Sequence, residues 1–185
     1  MPEILILTGP PGAGKSSVAQ ALAERYDRVA HVQVDVLRHF VTPTGYVAPS
    51  GPAEAWQRQQ RLAVRNACSL AQNFLEQRFA VIVDDVVITT DELEAYLDGL
   101  RGLGAPVHFV RLLPRLEVCI ERNRGRNEGR MPEGRIRTVH AQFVEAGEIG
   151  GVTVDNSEMT AHEAADRLQA LTTSGASMIW TPDSA

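Results

Sequence analysis

A glycine-rich stretch near the amino terminus carries the residue types that bind phosphate. Gly9 to Ser16 reads GPPGAGKS and matches the spacing G-x-x-x-x-G-K-[ST]. The glycines let the backbone turn its N–H groups inward, and the helix expected to follow adds positive partial charge at its N-terminus. Lys15 is the only lysine in the chain, against seventeen arginines. The stretch therefore predicts binding of a nucleoside triphosphate.

An acidic pair is the second candidate for this chemistry. Asp84 and Asp85 end the apolar run VIVDD, and one carboxylate there is expected to hold Mg²⁺ together with the Ser16 hydroxyl, while Lys15 reaches the β- and γ-phosphates. Strand alternation sends the two acids to opposite sides. We assign Asp84 to the metal and Asp85 to the acceptor, with turn formation as the alternative for the pair.

A carboxylate and an arginine follow the second apolar run. Asp35 lies directly after VQV, with Arg38 three residues on. Asp35 could accept a proton from an acceptor hydroxyl, and Arg38 could hold a polar or anionic part of that acceptor. The alternative for Asp35 is a cap on a helix that begins at Val36.

Arginines crowd a polar, glycine-rich segment later in the chain. Arg122 and Arg126 are four residues apart and share a helical face, and Arg130 follows four residues later. We expect residues 124–135 to form a lid that closes over the phosphates and supplies arginine to the transferring group. The alternative is a solvated helix end. Three arginines on a long helix, Arg58, Arg61 and Arg65, fit a solvent-facing surface better than substrate contact.

The elements that must position these residues alternate along the chain. Short apolar runs predict strands at Ile4–Thr8, Ala30–Val34, Ala80–Val83, Val107–Leu112 and Val152–Val154. Periodicity and caps predict helices at about Lys15–Arg25, Glu54–Gln77, Thr90–Leu103, from Pro114 onward, Ile136–Ala146 and Thr160–Leu171. This alternation predicts an α/β fold, a parallel sheet with helices on both faces, and places the candidate residues at the carboxyl ends of strands. We expect one domain over residues 1–172, with an acceptor-side loop at 41–53 and a loose tail at 173–185.

Composition limits the possible partners. The 185 residues have a net charge of −5 and a pI near 5.5, which disfavours a nucleic-acid partner because polymer binding needs a basic surface. The start of the chain has neither a basic n-region nor an apolar run long enough for a signal peptide or membrane span. Cys68 and Cys119 lack metal-site spacing and suggest inert thiols in a reduced, cytoplasmic protein.

Taken together, these motifs resemble those of the small P-loop kinases, a group that includes adenylate, shikimate and gluconate kinases. Chloramphenicol phosphotransferase is the member most similar in the segment VIVDDVVIT and in the position of Asp35. The resemblance covers roughly residues 3–172 and implies a five-stranded parallel sheet of order 2-3-1-4-5. It implies that Asp35 is the catalytic base, that Arg122 lies against adenine, and that Asn156 belongs to the loop on the adenine side. It also implies that Arg126 and Arg130 touch the phosphates from the lid. The residues that it implies hold the phosphates are Gly9, Pro11, Gly12, Ala13, Gly14, Lys15, Ser16 and Ser17.

The sequence thus predicts an ATP- and Mg²⁺-dependent kinase whose partner is a small molecule with a hydroxyl acceptor, an antibiotic or a metabolite. Two alternatives stay open. One is a nucleotide or polynucleotide 5′-hydroxyl kinase. The other is a nucleotide-binding switch or ATPase with no small acceptor, which would need only the glycine-rich loop and the acids.

Overall fold

The computed structural model describes residues 2–42, 44–48, 50–127 and 129–182. The predicted acceptor-side loop, lid and tail therefore each include positions outside the described residues. The strands are β1 (Ile4–Thr8), β2 (Val29–Gln33), β3 (Ala80–Asp84), β4 (Val107–Leu112), β5 (Val152–Val154) and β6 (Met178–Trp180). The helices are α1 (Lys15–Ala23), α2 (Val34–Arg38), α3 (Ala53–Glu76), α4 (Thr90–Leu100), α5 (Leu116–Arg124), α6 (Glu133–Glu145) and α7 (Ala161–Thr173).

The five parallel strands lie in the order β2-β3-β1-β4-β5, which confirms the predicted fold class. Parallel strands buried on both faces must be apolar throughout, and β1, β3 and β4 are fully buried. One apolar core packs α3 and α4 against one face of the sheet. A second core packs α1 and α7 against the other face. The carboxyl ends of parallel strands lie at the same edge of the sheet. The candidate residues that follow β1, β2 and β3 are therefore neighbours.

Two helices begin where their capping residues allow. In α4 the side chain of Thr89 accepts from the backbone of Glu92, and the Glu92 carboxylate returns the contact. The cap of α4 is therefore Thr89, and the helix begins at Thr90 as predicted. In α7, Thr160 and Glu163 form the same reciprocal pair. Within the described ranges no helix has the length and apolarity needed to span a bilayer.

The prediction of a strand through Val34 is wrong, because β2 ends at Gln33 and the chain turns at once into the five-residue helix α2. Asp35 lies in the first turn of α2, whose N-terminal flanking residue is Gln33. Asp35 is therefore not the cap of a helix beginning at Val36. Its carboxylate is available for another role.

The prediction of a loose tail from residue 173 is wrong for its described part. Strand β6 runs antiparallel to the first half of β4, with Val107 opposite Trp180 and His108 opposite Met178. The short β5 pairs only with the second half of β4, and β6 covers the backbone that β5 leaves open. A three-residue strand has no periodicity to detect, and a polar, glycine-containing stretch precedes it.

Both cysteines are buried and free. Burial raises the pKa of the Cys68 thiol and of the Cys119 thiol to about 11. At neutral pH both stay protonated, which agrees with the expectation of inert thiols.

Gly12 gives a first test of how the glycine-rich loop is seated. Its φ is +83°, and a Cβ there would lie 2.2 Å from the Cys119 carbonyl oxygen of α5. Gly12→Ala should lower the free energy of unfolding by about 1–3 kcal/mol, because it combines backbone strain with a backbone clash. Gly102→Ala, at a glycine with nothing within 4 Å, is the control in chemical denaturation. Equal stability of the two variants would contradict the packing of the loop on α5.

Strand β6 gives a second test. Trp180 is half-buried and packs on the core beneath β4, so Trp180→Ala should lower the free energy of unfolding by about 2 kcal/mol, roughly half the loss at a fully buried site. Thr181→Ala, at the exposed next residue, should change it little. If the Trp180→Ala protein were as stable as the parent, β6 would not be packed on the core and the tail would be loose, as the sequence predicted.

Candidate functional site

The glycine-rich loop between β1 and α1 has the geometry of an anion cradle. Gly12 and Gly14 have positive φ angles of 83° and 91°. Gly14 caps α1 in the left-handed conformation, with no side-chain cap. The first N–H groups of α1 have no side-chain partner at the cap, and they point with the helix dipole toward the loop. Pro11 and Ala13 lie within this loop, and Ser17 follows in the first turn of α1.

Lys15 closes the loop from inside. Its Nζ donates to the Gly9 carbonyl oxygen at 2.9 Å. Burial lowers the pKa of the Lys15 ammonium, and the charges of Asp84 and Asp85 act in the opposite direction. The charge of Arg126 also lowers the pKa of this ammonium, and that of Asp35 raises it. A half-buried cation beside a phosphate cradle is suited to charges brought by a ligand.

Ser16 and Asp84 are brought together, as the sequence predicts. The Ser16 hydroxyl donates to Asp84 Oδ2 at 2.6 Å, and His31 Nε2 lies 3.5 Å from the same oxygen. Burial alone would raise the pKa of Asp84, but His31, Lys15 and the Ser16 hydroxyl outweigh it and leave that pKa lowered. The carboxylate is therefore ionised at neutral pH, the state that a Mg²⁺ ligand needs.

The second acid of the pair has different partners, as strand alternation predicts. Asp85 accepts from Arg38 Nη2 at 2.8 Å and from the Tyr96 hydroxyl at 2.6 Å. Arg38 Nε donates to Gln60 Oε1 at 2.5 Å. Burial and the Asp85 carboxylate hold the Tyr96 pKa well above its ordinary value. Both Asp85 and Arg38 are almost fully buried, so they form an internal ion pair.

Asp35 is the exposed carboxylate at the mouth. Its side chain is 81% exposed, and its Oδ1 lies 3.9 Å from Arg38 Nη1. Its place in the first turn of α2, directly after β2, brings it to the edge of the sheet that also carries Asp84. The three neighbouring strands β2, β3 and β1 thus deliver Asp35, Asp84 and the glycine-rich loop to one edge.

A cavity of about 410 Å³ opens beside the loop. Its walls come from α1, the end of α5 and the segment after β5: Gly12, Gly14, Ser17, Val18, Arg122, Gly125, Arg126, Asn156, Met159, Thr160 and Ala161. The Ala13 carbonyl accepts from Arg122 Nη1 at 3.2 Å and from Asn156 Nδ2 at 2.9 Å. These two side chains fix the loop to the cavity wall. The size and position of the cavity suit the base and sugar of a nucleotide.

Of the two arginines expected at the transferring phosphate, only one faces the cavity beside the glycine-rich loop. Arg126 lines the cavity, whereas Arg130 Nη2 donates back to the Arg124 carbonyl at 2.5 Å and contacts the Arg126 carbonyl at 3.3 Å. Arg124 pairs with Glu133. The helix α6 begins at Glu133, three residues before the predicted start.

Sequence reasoning missed three side chains that support the site. His31 lies inside β2, where nothing in the sequence distinguishes it from a core residue, and Gln60 and Tyr96 lie on helices far along the chain. Only the packing of α3 and α4 against the sheet brings Gln60 and Tyr96 to Arg38 and Asp85. Spacing along the sequence carries no signal for such contacts.

Known proteins agree with this architecture. Residues 4–146 match the family described as AAA domain. An adenylate kinase of Deinococcus radiodurans is 34% identical over 139 residues, which cover 70% of this chain and 70% of that protein.

Solved structures share the fold at lower identity. The tunicamycin resistance protein of Deinococcus radiodurans superposes with a TM-score of 0.65 at 18% identity, over 98% of this chain and 99% of that one. Shikimate kinase from Acinetobacter baumannii gives 0.64 at 18% identity, over 95% of each chain. A Pnkp1/Rnl/Hen1 RNA repair complex gives 0.60 at 22% identity, over 78% of this chain and 45% of that one. The match over residues 4–146 and the adenylate kinase relative lead to one conclusion: the chain belongs to the AAA domain family, with a P-loop kinase domain.

Proposed function

We propose that this protein is a kinase that transfers the γ-phosphoryl group of ATP, with Mg²⁺, to a hydroxyl of a small molecule, an antibiotic or a metabolite. One observation carries the proposal. Lys15, Ser16 and the ionised Asp84 converge at the loop that borders the 410 Å³ cavity. This set can hold both the phosphates and the metal of a nucleoside triphosphate.

The residues fit a phosphate-bound Mg²⁺. This ion commonly keeps several waters and takes one or two protein oxygens in addition to phosphate oxygens, and Ser16 Oγ with Asp84 Oδ2 offers such a pair. When bound, Mg²⁺ would neutralise charge on the β- and γ-phosphates. We propose that Gly9, Gly12, Gly14 and Lys15 hold the phosphates, with Arg122 and Asn156 at the base.

The transfer itself needs a base that accepts the hydroxyl proton and cations that stabilise the charge on the transferring phosphoryl group. In the proposed step, the acceptor hydroxyl oxygen bonds to the γ-phosphorus while the bond from that phosphorus to the β–γ bridging oxygen breaks, and ADP leaves. Asp35 takes the hydroxyl proton, because it is an exposed carboxylate at the sheet edge that also carries Asp84. Arg126 and Arg130 would approach the transferring group when residues 124–135 close.

The products of the reaction distinguish this proposal from two alternatives. A nucleotide or polynucleotide 5′-hydroxyl kinase would label a nucleotide or nucleic acid, and a switch or ATPase would release only inorganic phosphate. The position of Asp35 favours transfer to an acceptor over simple hydrolysis, and the net charge of −5 disfavours a polymer. A screen of ATP consumption against antibiotics, sugars, nucleosides and a 5′-hydroxyl oligonucleotide, with product analysis, tests all three. A cytoplasmic location is part of the same proposal.

The Asp35→Asn variant tests the base. It keeps the size of the side chain and removes the proton acceptor, so transfer to any acceptor found in that screen should fall about 10²–10⁴-fold. That loss is about 3–5 kcal/mol of transition-state stabilisation. Affinity for MgATP should change little in calorimetry, because the loop and Asp84 are untouched.

The matched control is Asp98→Asn, which removes an exposed carboxylate on α4. It should leave transfer unchanged. Transfer by Asp35→Asn at the parent rate would refute the base role, even if the kinase activity itself were established.

A further inference from the structure

A second cavity lies between α2 and α3, on the acceptor side of the site. It has a volume of about 130 Å³ and is lined by Leu37, Arg38, Phe40, Val41, Gln59, Leu62, Ala63 and Asn66. Arg38 joins it to the site, because this residue lines the cavity and its Nη1 lies 3.9 Å from the Asp35 carboxylate. A molecule in this cavity would therefore contact a residue that also faces the candidate base.

The charge of Arg38 is already matched. Its Nη2 donates to the buried carboxylate of Asp85 at 2.8 Å, its Nε donates to Gln60, and its Nη1 faces Asp35. An arginine whose charge is neutralised by a buried partner attracts an anionic ligand weakly. The sequence-based prediction that Arg38 holds an anionic part of the acceptor thus loses its main support.

The other cations of α3 lie away from this cavity. Arg58 is exposed and pairs with Glu54. Arg61 and Arg65 are exposed, and neither contributes to the lining. Within the described residues, the cavity therefore has no cation other than the paired Arg38.

The rim of the cavity is apolar and exposed. Phe40 is 74% exposed and Leu62 is 39% exposed. Covering such apolar surface with a ligand lowers the free energy by about 25 cal/mol per Å². The loop beside it is fastened to α3, because Gln59 accepts from Val47 N at 3.1 Å and donates to the Gly45 carbonyl at 3.4 Å. These hydrogen bonds hold Gly45 and Val47 against α3 beside the cavity.

We infer that this cavity receives an uncharged, apolar part of the phosphate acceptor, an aromatic ring or a short alkyl group, while the acceptor hydroxyl points to Asp35. The inference rests on the proposed kinase function and narrows its substrate class. The size suits it, since an apolar protein cavity of about 150 Å³ holds benzene. Acceptors whose recognised part is a carboxylate or phosphate should be poor.

Ligand-observed NMR tests the cavity without requiring catalysis. Benzyl alcohol and 2-phenylethanol are the uncharged probes, and benzoate and phenylacetate are their anionic counterparts. Saturation transfer from the protein should reach the alcohols several-fold more strongly than the carboxylates. Asn66→Trp places a large ring at the exposed wall of the cavity and should abolish most of the signal.

Two further variants keep the test decisive. Ser69→Trp adds the same ring at an exposed position of α3 outside the lining, and it should bind the alcohols as the parent does. Phe40→Ser removes the apolar rim at a side chain too exposed to threaten folding, and it should weaken binding about three- to tenfold. Three results would overturn the inference. They are no binding of the alcohols, equally strong binding of the alcohols to the parent, Asn66→Trp and Phe40→Ser proteins, and weaker binding of the alcohols than of the carboxylates.

The same samples with MgATP separate this inference from the kinase proposal. Aromatic binding at the cavity with only inorganic phosphate released across an acceptor panel would refute the kinase and leave the cavity as an apolar site. Phosphoryl transfer confined to acceptors that carry a carboxylate or phosphate would support the kinase and overturn the neutral class. Transfer to uncharged aromatic or alkyl alcohols that falls in Asn66→Trp and not in Ser69→Trp would support both.

Discussion

The hydrogen bond from the Ser16 hydroxyl to the Asp84 carboxylate joins the first turn of α1 to the end of β3, which lies between β2 and β1 in the sheet. It forms only if the glycine-rich loop brings α1 back over the sheet edge, and the loop can do so only with left-handed backbone at Gly12 and Gly14. The lowered pKa of Asp84 keeps that carboxylate charged despite burial. One contact thus fixes the loop, the helix and the charge on which the phosphate site depends.

The second acid stabilises the opposite side of the same edge. Asp85, Arg38 and Tyr96 satisfy one another inside the protein, and removal of one partner of such a buried pair typically costs about 3–5 kcal/mol because the other charge is left alone. Their arrangement ties α2 and α4 to β3. It also holds α2 in place, and with it Asp35, which no other described ion pair secures. The buried ion pair therefore fixes the helix that carries the candidate base.

The sequence was sufficient where local rules apply. The motif Gly9 to Ser16 predicted the loop, the apolar runs predicted the parallel sheet, and alternation predicted that Asp84 and Asp85 would face different partners. It was insufficient where distant elements meet. The partners of Arg38 come from α3 and β3, and no spacing encodes that meeting. Helix α2 replaced the end of a predicted strand because the chain leaves the sheet after Gln33, one residue earlier than the apolar pattern suggests. Strand β6 formed because β4 had open backbone to pair, which is a property of the assembled sheet.

The central claim is that the loop binds the phosphates of MgATP through Lys15, and calorimetric titration of MgATP into the parent, Lys15→Ala and Lys15→Arg proteins tests it most directly. Loss of a charge-assisted contact of about 1.5–3 kcal/mol should weaken the affinity of Lys15→Ala about ten- to hundredfold. Lys15→Arg should also bind more weakly, because a guanidinium fork does not fit where a compact ammonium donates to Gly9. All three proteins should unfold at similar temperatures. Equal MgATP affinity in the parent and Lys15→Ala proteins would contradict the account.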